Sequence, residues 1–309
     1  MSVRYEPPDQ YIGAARRVRG EDVPDHHPCM TPPTLLRLAA FTTDPSGGNP
    51  AGVWIGERLP PAGEMQRIAA EVGYSETAFL EPGAEPMRWT IRYYSPEAEI
   101  AFCGHATIAS AVGLGWRDGD GAYRLDTLAG TVPVEVVTGD GPTTARFTSV
   151  EPQRRDLDPG LLAACLAAFG WEPADLDPEL APDLAYAGAW HLVLPLARRD
   201  TLAAMRYDFD GLRALMEGAG ITTVQVVRRE HPHLFHARNP FPVGGVVEDP
   251  ATGAAAAALG GYLRHHGLVD PPADIVVRQG DDMGRPSTID LHVPADGGIV
   301  IAGTAVPVG

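Results

Sequence analysis

Apolar and polar positions along the chain form short runs typical of strands, separated by glycine- and proline-rich turns. From Leu35 onward these runs are LLRLAAFTT, AGVWIG, SETAFLE and MRWTIRYYSP. Their alternating or continuously apolar pattern predicts β-strands. The segment DPSGGNP between the first two runs has the composition of a turn. The second half of the chain repeats the plan, with WHLVLPL, TVQVVRRE and LFHARNPF as predicted strands.

Two further segments have the length of a helix but carry almost no charge. They are FCGHATIASAVGLGW, from Phe102 to Trp116, and ATGAAAAALGGYL, which ends at Leu263. A helix that is apolar on every face must be surrounded, and a curved sheet is the natural wrapping. We therefore expect an α+β fold with two pseudo-symmetric lobes, each a curved, mostly antiparallel sheet rolled around a central apolar helix.

The two uncharged segments also resemble each other. Superposing CGHATIASAVGLGW on DPATGAAAAALGGY matches three pairs of residues: Cys103 with Asp249, Gly115 with Gly261, and Trp116 with Tyr262. Similarity of this kind indicates a duplicated architecture. The two helix N-termini would then face each other across a cleft, where their free N–H groups attract anions.

This plan divides the chain into three parts. We expect a polar N-terminal extension over residues 1–33, and a first lobe over 34–150 with its central helix at about 105–116. A second lobe would cover 151–309, with its central helix at about 250–263. The last strand of the second lobe is a candidate to pack back on the first lobe.

Composition narrows the function classes. The chain has 24 lysines and arginines against 40 aspartates and glutamates, a formal net charge of −16, and such a field repels nucleic acid and anionic lipid. No uncharged stretch is long enough to span a bilayer, and the N-terminus lacks the apolar core of a signal peptide. Three cysteines, Cys29, Cys103 and Cys165, do not form a closed disulfide framework. We therefore expect a reduced, cytoplasmic protein.

Five separated motifs resemble those of the phenazine-biosynthesis PhzF-like family in order and spacing: DPSGGNPAGV, YSETAFL, EAEIAFCGHATIASA, VEDPATGAAAAALGGYL and QGDDMGRPS. The resemblance covers roughly residues 35–309. It implies a diaminopimelate epimerase-like fold, shared with proline racemase, with a site between two lobes. It also implies an isomerase that moves a proton without a cofactor on a small carboxylic acid, in a family where homodimers are common.

Glu76, in SETAFL, is the first candidate for chemistry. In a strand it shares one face with Ala78 and Leu80, and a glutamate at a strand end would by itself be expected to face water. The resemblance instead makes Glu76 the general acid/base. A carboxyl group in a closed apolar cleft holds its proton more readily than one in water, which suits proton transfer.

Asp249 admits two interpretations that can hold together. Followed by Pro250, it has the pattern of a helix start, in which the carboxylate caps free N–H groups. The resemblance makes Asp249 a substrate-contacting residue near the proton transfer. Because a capping carboxylate is stabilised as the anion, we expect Asp249 to position the substrate and Glu76 to move the proton.

His105 lies in the first turn of the other central helix, where a lone histidine would by itself most often satisfy only local backbone. The resemblance makes it a hydrogen-bond donor or proton relay near the substrate. Backbone N–H groups at both helix starts would hold a carboxylate or enolate oxygen. The expected catalytic residues are therefore Glu76, His105 and Asp249, and the expected substrate-binding residues are Ser75, Gly104, Thr252, Gly253 and Ala254.

Ala254 departs from the family pattern, which usually has serine after this TG. If that hydroxyl contacts the substrate in relatives, a different substrate is expected here, or weaker activity on the family's type substrate, a dihydro-hydroxyanthranilic acid.

Cys103 bears on an alternative, an epimerase or racemase. Two-base racemases of this fold use one cysteine before each central helix, whereas this chain has Asp249 at the second position. A two-thiol mechanism is therefore excluded, and Cys103 is expected to be a small buried residue. A racemase with a Glu/Asp or Cys/Asp pair stays open as an alternative, as does a non-catalytic interaction protein that keeps the fold.

No metal or cofactor is expected. In HPHLFH, His231 and His233 share a strand face while His236 points to the other, so three ligands do not converge. DPSGGNP lacks the lysine and following helix of a phosphate loop. The role of Arg238 is left open between a substrate carboxylate and a surface acid.

Overall fold

The structure is a computed structural model that describes residues 33–308. The extension predicted for residues 1–33 therefore lies, apart from Pro33, outside the described residues. Within the described part of the chain, no helix is long and apolar enough to cross a membrane.

The first half of the described chain contains eight strands and two helices. In chain order they are β1 (Thr34–Ala40), β2 (Asn49–Ile55), α1 (Ala62–Val72), β3 (Glu76–Pro82), β4 (Arg88–Tyr94), β5 (Glu99–Ile100), α2 (Gly104–Asp118), β6 (Gly121–Thr127), β7 (Gly130–Val137) and β8 (Thr144–Thr148). The predicted turn DPSGGNP is confirmed for residues 44–48, which form turns and bends, whereas Asn49 and Pro50 already belong to β2.

The second half contains ten strands and four α-helices. They are β9 (Gln153–Arg155), α3 (Pro159–Phe169), β10 (Asp183–Tyr186), β11 (Trp190–Pro195), α4 (Arg199–Ala203), α5 (Phe209–Ala219), β12 (Thr223–His231), β13 (Leu234–Arg238), β14 (Pro240–Phe241), β15 (Val246–Glu248), α6 (Gly253–His265), β16 (Ala273–Gln279), β17 (Ser287–Val293) and β18 (Val300–Pro307). Short 3₁₀ turns occur at Pro173–Asp175, Pro242–Gly244 and Asp281–Met283.

One continuous sheet builds both halves. Strands β1, β2, β3, β4, β6, β7, β8 and β18 follow one another in that order, and the pairing of β1 with β18 closes them into a ring of eight. From β18 the sheet continues through β17, β16, β13, β12, β11 and β10 to β9. Strand β18 thus belongs to both curved parts of this sheet, which are called the first and the second sheet below, and joins the two halves.

Each sheet encloses one of the two apolar helices, which confirms the predicted fold class. Helix α2 crosses between the parallel strands β4 and β6, and helix α6 crosses between the parallel strands β13 and β16. Every residue from His105 to Gly115 is buried, as is every residue from Ala255 to Leu263. The lack of charge in the two segments follows from this enclosure, because an unpaired buried charge is costly.

Glycine sets the closest approach of each helix to its sheet. A Cβ at Gly115 would lie 2.5 Å from Val136 Cγ1, and a Cβ at Gly261 would lie 2.4 Å from Pro152 Cβ. Both distances are shorter than carbon atoms tolerate without displacement. The two positions matched in the sequence superposition are therefore glycine for the same steric reason.

Additional helices cover the outside of the sheets. Helices α3, α4 and α5 contribute Leu166, Leu202 and Leu212 to a second apolar cluster against the outer face of β11 and β12. Helix α1 packs Met65 and Ala69 in the same way against the first sheet. These helices cover the outer face of only part of the sheet, since β7 and β17 alternate buried and exposed residues.

Candidate active site

The N-termini of α2 and α6 meet where the two halves of the molecule join. A Cβ built on Gly104, the first residue of α2, would lie 3.8 Å from Gly253 Cα and 3.9 Å from Ala254 N. The two helix starts therefore face each other, and the partial positive charges of both ends add in one place. This region is suited to hold an anionic group.

Glu76 and His105 contact each other on the first side of this junction. Glu76 opens β3 on the same face as Ala78 and Leu80, which line the core around α2. His105 is the second residue of α2, and its Nε2 lies 3.2 Å from Glu76 Oε2. The Glu76 side chain is 14% exposed and that of His105 6% exposed. Glu76 thus lies in β3 and shares a face with Ala78 and Leu80, as the strand pattern predicted.

Asn49 lies at the centre of the site, although the sequence analysis treated its segment only as a turn. It is the first residue of β2 and is 1% exposed. Its Nδ2 atom lies 2.7 Å from Asp249 Oδ1, 3.1 Å from His105 Nδ1 and 3.1 Å from the carbonyl oxygen of Ala251. One amide therefore touches both the histidine of the first half and the carboxyl group of the second.

Asp249 does not cap α6, and that expectation was wrong. The helix begins at Gly253 with Thr252 as its N-cap, and no side chain caps it. Instead, the Asp249 carboxyl group accepts hydrogen bonds from Asn49 Nδ2 and from the Thr252 hydroxyl. Asp249 directly follows β15 and lies three residues before Thr252, the N-cap of α6.

The electrostatic expectation for Asp249 was also wrong. The pKa of its carboxyl group is raised from 3.8 to about 6, mainly by burial and to a smaller extent by the negative charge of Glu76. His105 and the hydrogen bonds from Thr252 and Asn49 act in the opposite direction without cancelling the effect of burial. A capped carboxylate would be held as the anion, whereas this buried one carries a proton closer to neutral pH.

Gln279 and Arg285, both from the QGDDMGRPS motif, support the site from the second half. Gln279 Nε2 donates to the Asp249 carbonyl oxygen at 2.7 Å and lies 3.1 Å from the Thr252 hydroxyl oxygen. Arg285 donates to the carbonyl oxygens of Gly47 and Gly48, directly before Asn49. The sequence analysis missed both residues and Asn49. Their only sequence signal was that they lie in motifs shared with the family.

Cys103 is buried beside His105, as predicted. Its Sγ lies 3.4 Å from His105 Nδ1 and 3.8 Å from Nε2. Burial and the negative charge of Glu76 raise the pKa of the thiol well above its usual value. The thiol therefore holds its proton, and Cys103 differs in this respect from an activated nucleophile.

Glu76, Cys103 and His105 bring one ligand atom each within 4.8 Å of one another, a set that can in principle hold a metal ion. The sequence analysis expected no metal. His105 Nε2 faces Glu76 Oε2 at 3.2 Å, and His105 Nδ1 faces the Asn49 amide nitrogen at 3.1 Å, so both ring nitrogens already have a neighbour in the protein. The trio is therefore arranged for a hydrogen bond between His105 and Glu76 rather than for an Nε2 lone pair directed at a metal.

The structure places the predicted substrate-binding residues unequally. Gly104, Thr252, Gly253 and Ala254 all lie at the two helix starts, and Ala254 is partly exposed. Ser75 directly precedes Glu76 but is exposed, and in the described hydrogen-bond network it has no bond to the cluster. Four of the five predicted substrate-binding residues therefore lie at the helix starts, whereas Ser75 lies outside the hydrogen-bonded cluster.

Two other sequence candidates lie elsewhere. Arg238, whose role was open, forms a buried ion pair with Glu248, with Nη2 to Oε2 at 2.6 Å and Nε to Oε1 at 2.9 Å. His236 pairs with Glu230, and His233 Nδ1 lies 2.9 Å from the Asp274 carbonyl oxygen. Arg238 therefore meets an acid of the protein, and the two histidines are each engaged by a different group.

Comparisons with known proteins place this geometry in a family. The sequence profile of the phenazine biosynthesis-like protein family (PhzC-PhzF) matches residues 38–309. The trans-2,3-dihydro-3-hydroxyanthranilate isomerase of Pseudomonas fluorescens is 31% identical over 251 residues, covering 81% of this chain and 86% of that protein. The uncharacterized isomerase YfhB of Bacillus subtilis is 29% identical over 288 residues, covering 88% and 95%.

A solved structure gives the same result. The crystal structure of the Bacillus anthracis PhzF-family protein matches with a TM-score of 0.78 at 26% identity, covering 89% of this chain and 96% of that one. The family match includes Asn49, Glu76, His105, Asp249 and Gln279, which converge at the helix starts. The chain therefore belongs to the phenazine biosynthesis-like protein family and is an isomerase.

Proposed function

We propose that the protein isomerises a small amino or hydroxy carboxylic acid by cofactor-independent general acid/base proton transfer between its two halves. The observation that carries this proposal is the contact of Glu76 with His105, 3.2 Å apart, beside the paired helix starts. Glu76 takes a proton from one carbon of the substrate and returns it to another. A relative is named for isomerising trans-2,3-dihydro-3-hydroxyanthranilate, an acid of this class.

The helix starts supply the binding site for the carboxylate in this proposal. Gly104 at the first start and Gly253 and Ala254 at the second present backbone N–H groups that have no partner within a helix, while the N–H of Thr252 donates to Gln279 Oε1 at 3.3 Å. Charge that builds up on the substrate oxygens as the proton leaves is stabilised by the same groups. Ser75, exposed next to Glu76, would contact only the rim of a bound acid.

Asp249 and His105 orient the substrate and its developing enol. The pKa of Asp249 is about 6, so at pH 7 roughly one carboxyl group in ten is protonated. Mostly ionised, Asp249 accepts a hydrogen bond from a substrate amino or hydroxyl group. We therefore retain the positioning role expected for Asp249. The role now rests on hydrogen bonds from Asn49 and Thr252 rather than on capping of α6.

The test is the variant Glu76→Gln, which preserves shape but removes the proton carrier. We expect turnover of an accepted acid to fall by on the order of 100-fold or more. Binding of the same acid, followed by thermal shift, is expected to persist. A Glu76→Gln protein with wild-type turnover would overturn the assignment of Glu76.

Epimerisation is the second candidate, favoured by one observation. Cys103 and Asp249, which match in the sequence superposition, lie on the two sides of the helix junction. They are close enough for the charge of Asp249 to contribute to the raised pKa of the Cys103 thiol. Turnover in deuterated water separates the reactions by NMR of the product. An epimerase incorporates solvent deuterium with inversion at one carbon, whereas the isomerase moves a double bond.

The cellular setting remains part of the proposal. We place the protein in the cytoplasm, where thiols such as the buried, free Cys103 and Cys165 stay reduced. The homodimer implied by the resemblance is a prediction that sedimentation would test.

A further inference from the structure

We propose that Asn49 is a positioning residue: its side-chain amide fixes the His105 ring with its proton on Nε2, directed at Glu76, and fixes Asp249 on the opposite side. This inference deepens the proposed function and rests on it for its catalytic consequence. Its structural part, the state of the His105 ring, can be measured without any substrate.

The orientation of the Asn49 amide follows from its neighbours. Nδ2 lies 2.7 Å from Asp249 Oδ1 and 3.1 Å from the carbonyl oxygen of Ala251. Both of these atoms are acceptors, so a rotated amide would place its own oxygen against two oxygens. The –NH₂ group must therefore occupy this position, and the assignment of nitrogen and oxygen in the side chain is not arbitrary.

The tautomer of His105 follows from the same orientation. The Asn49 –NH₂ group, which donates but does not accept, lies 3.1 Å from Nδ1. The Cys103 thiol, 3.4 Å from Nδ1, can donate or accept and does not decide the tautomer. A proton on Nδ1 would face the hydrogens of the Asn49 amide, so Nδ1 must offer its lone pair. The ring proton then sits on Nε2, 3.2 Å from the Glu76 carboxylate, as a hydrogen bond to that oxygen requires.

The amide is shared between the two sides of the site. Two hydrogens on Nδ2 face three acceptors, namely His105 Nδ1, Asp249 Oδ1 and the Ala251 carbonyl oxygen. A proton gained by Asp249 weakens its hold on Asn49 and strengthens the bond from Asn49 to His105. Asn49 therefore links the proton state of Asp249 to the orientation of the group that contacts Glu76.

Asn49 is itself held from the second half of the molecule. Arg285 Nε donates to the Gly48 carbonyl oxygen at 2.8 Å and Nη2 donates to the Gly47 carbonyl oxygen at 2.7 Å. Gly48 adopts a φ of +68°, where a Cβ would lie 2.5 Å from the carbonyl oxygen of Ala40. This turn has little freedom, which suits a residue whose two amide hydrogens must reach three neighbouring acceptors.

The primary test is nitrogen-detected NMR of the histidine rings in the wild-type protein, with the His105 signals identified by their loss in His105→Gln. We expect a lone-pair nitrogen shift at Nδ1 and an N–H shift at Nε2. A proton found on Nδ1 would overturn the proposal without any variant. His191, whose Nδ1 is 2.7 Å from Thr223 Oγ1, serves as an internal reference.

Two variants extend the test. Asn49→Asp replaces the donor with an acceptor of the same shape, so the His105 proton is expected to move to Nδ1 while His191 is unchanged. Asn49→Ala removes the donor altogether and is expected to leave both His105 tautomers populated. An unchanged His105 signal in a folded variant of either kind would overturn the role of Asn49.

Activity separates this proposal from the proposed function. With an accepted acid, Asn49→Asp is expected to lower kcat by on the order of 10- to 100-fold with a smaller change in KM. A shifted tautomer with unchanged kcat would overturn the catalytic consequence while leaving Glu76 untouched. Loss of turnover in Glu76→Gln together with the predicted tautomer in wild type supports both proposals, each by its own measurement.

Discussion

Asn49 and Asp249 are 200 positions apart in the chain and are joined by a hydrogen bond of 2.7 Å. The bond connects the first residue of β2 in the first half with the segment before α6 in the second. It brings together two motifs that no local rule relates. The site therefore forms only where the two halves are joined. The predictions below concern the contacts across that junction.

The raised pKa of Asp249 predicts a pH-dependent stability. The folded pKa of about 6 exceeds the value of 3.8 for an unperturbed aspartate, so the folded state binds more protons than the unfolded state between these pH values. Stability is therefore lost as pH rises through this window, by on the order of 2 to 3 kcal/mol. Asp249→Asn does not ionise, so its stability relative to wild type should improve by this order between pH 4 and pH 8.

Urea unfolding at several pH values measures this difference, and Asp44→Asn is the control with the opposite sign. Hydrogen bonds from the Ser46 backbone and hydroxyl lower the pKa of Asp44, so its replacement should become less favourable as pH rises. A pH-independent difference for Asp249→Asn would contradict the raised pKa.

Arg285→Lys tests the hydrogen bonds by which the second half fixes the backbone directly before Asn49. Lysine keeps the charge but cannot donate to the Gly47 and Gly48 carbonyl oxygens in the forked geometry of a guanidinium group. We expect a loss of about 1 to 2 kcal/mol of stability, together with a change in the NMR signals of the His105 ring.

Arg264→Lys is the matched control for Arg285. Arg264 also donates to two backbone carbonyl oxygens, of Pro294 at 3.0 Å and Gly297 at 2.9 Å, but from the last turn of α6, far along the helix from the site. It should lose similar stability and leave His105 unchanged. Equal changes in the His105 NMR signals in both variants would show that these signals respond to a general loss of stability rather than to the contact of Arg285 with the Asn49 turn.

The central helices could be predicted from the sequence because their signal is local. An uncharged segment of helical length requires a surrounding sheet wherever it occurs, and the matched Gly115 and Gly261 indicated that the arrangement occurs twice. The placement of Glu76 beside Ala78 and Leu80 followed likewise from strand periodicity. These inferences need no knowledge of distant parts of the chain.

Asn49 and the state of Asp249 could not be predicted in this way. Within DPSGGNP an asparagine has a sufficient explanation as a turn residue, and its partners His105 and Asp249 are remote in sequence. For Asp249, the local Asp-Pro pattern predicted a capping anion, whereas the tertiary structure buries the carboxyl group near Glu76. The pKa of Asp249 is therefore set by burial in the tertiary structure rather than by the local capping pattern, and burial can be seen only in the structure.

The close approach of each helix to its sheet predicts a stability effect at two glycines. In Gly115→Ala and Gly261→Ala the added methyl group meets Val136 Cγ1 at 2.5 Å and Pro152 Cβ at 2.4 Å. Each variant should lose about 1 to 3 kcal/mol in urea unfolding, since overpacking forces neighbours to move. Gly63→Ala, in the exposed first turn of α1 with no atom within 4 Å of the new Cβ, should instead be neutral or stabilising.

Ala254 gives the prediction on substrate choice. It lies in the first turn of α6 and is partly exposed. Ala254→Ser adds a hydroxyl at the helix start, and a new hydrogen bond of about 1 to 1.5 kcal/mol corresponds to roughly tenfold tighter binding. The acid named for the Pseudomonas fluorescens relative, trans-2,3-dihydro-3-hydroxyanthranilate, is the ligand on which to measure it.

Calorimetric titration of wild type and Ala254→Ser with this acid gives the two affinities, and Ala254→Gly controls for the change in side-chain volume. Tighter binding to the serine variant alone would show that position 254 recognises a polar group of the substrate. Equal affinities in all three proteins would contradict that role. Discrimination would then lie in other residues around the helix starts, because the hydroxyl that distinguishes the serine variant would have no counterpart on the ligand.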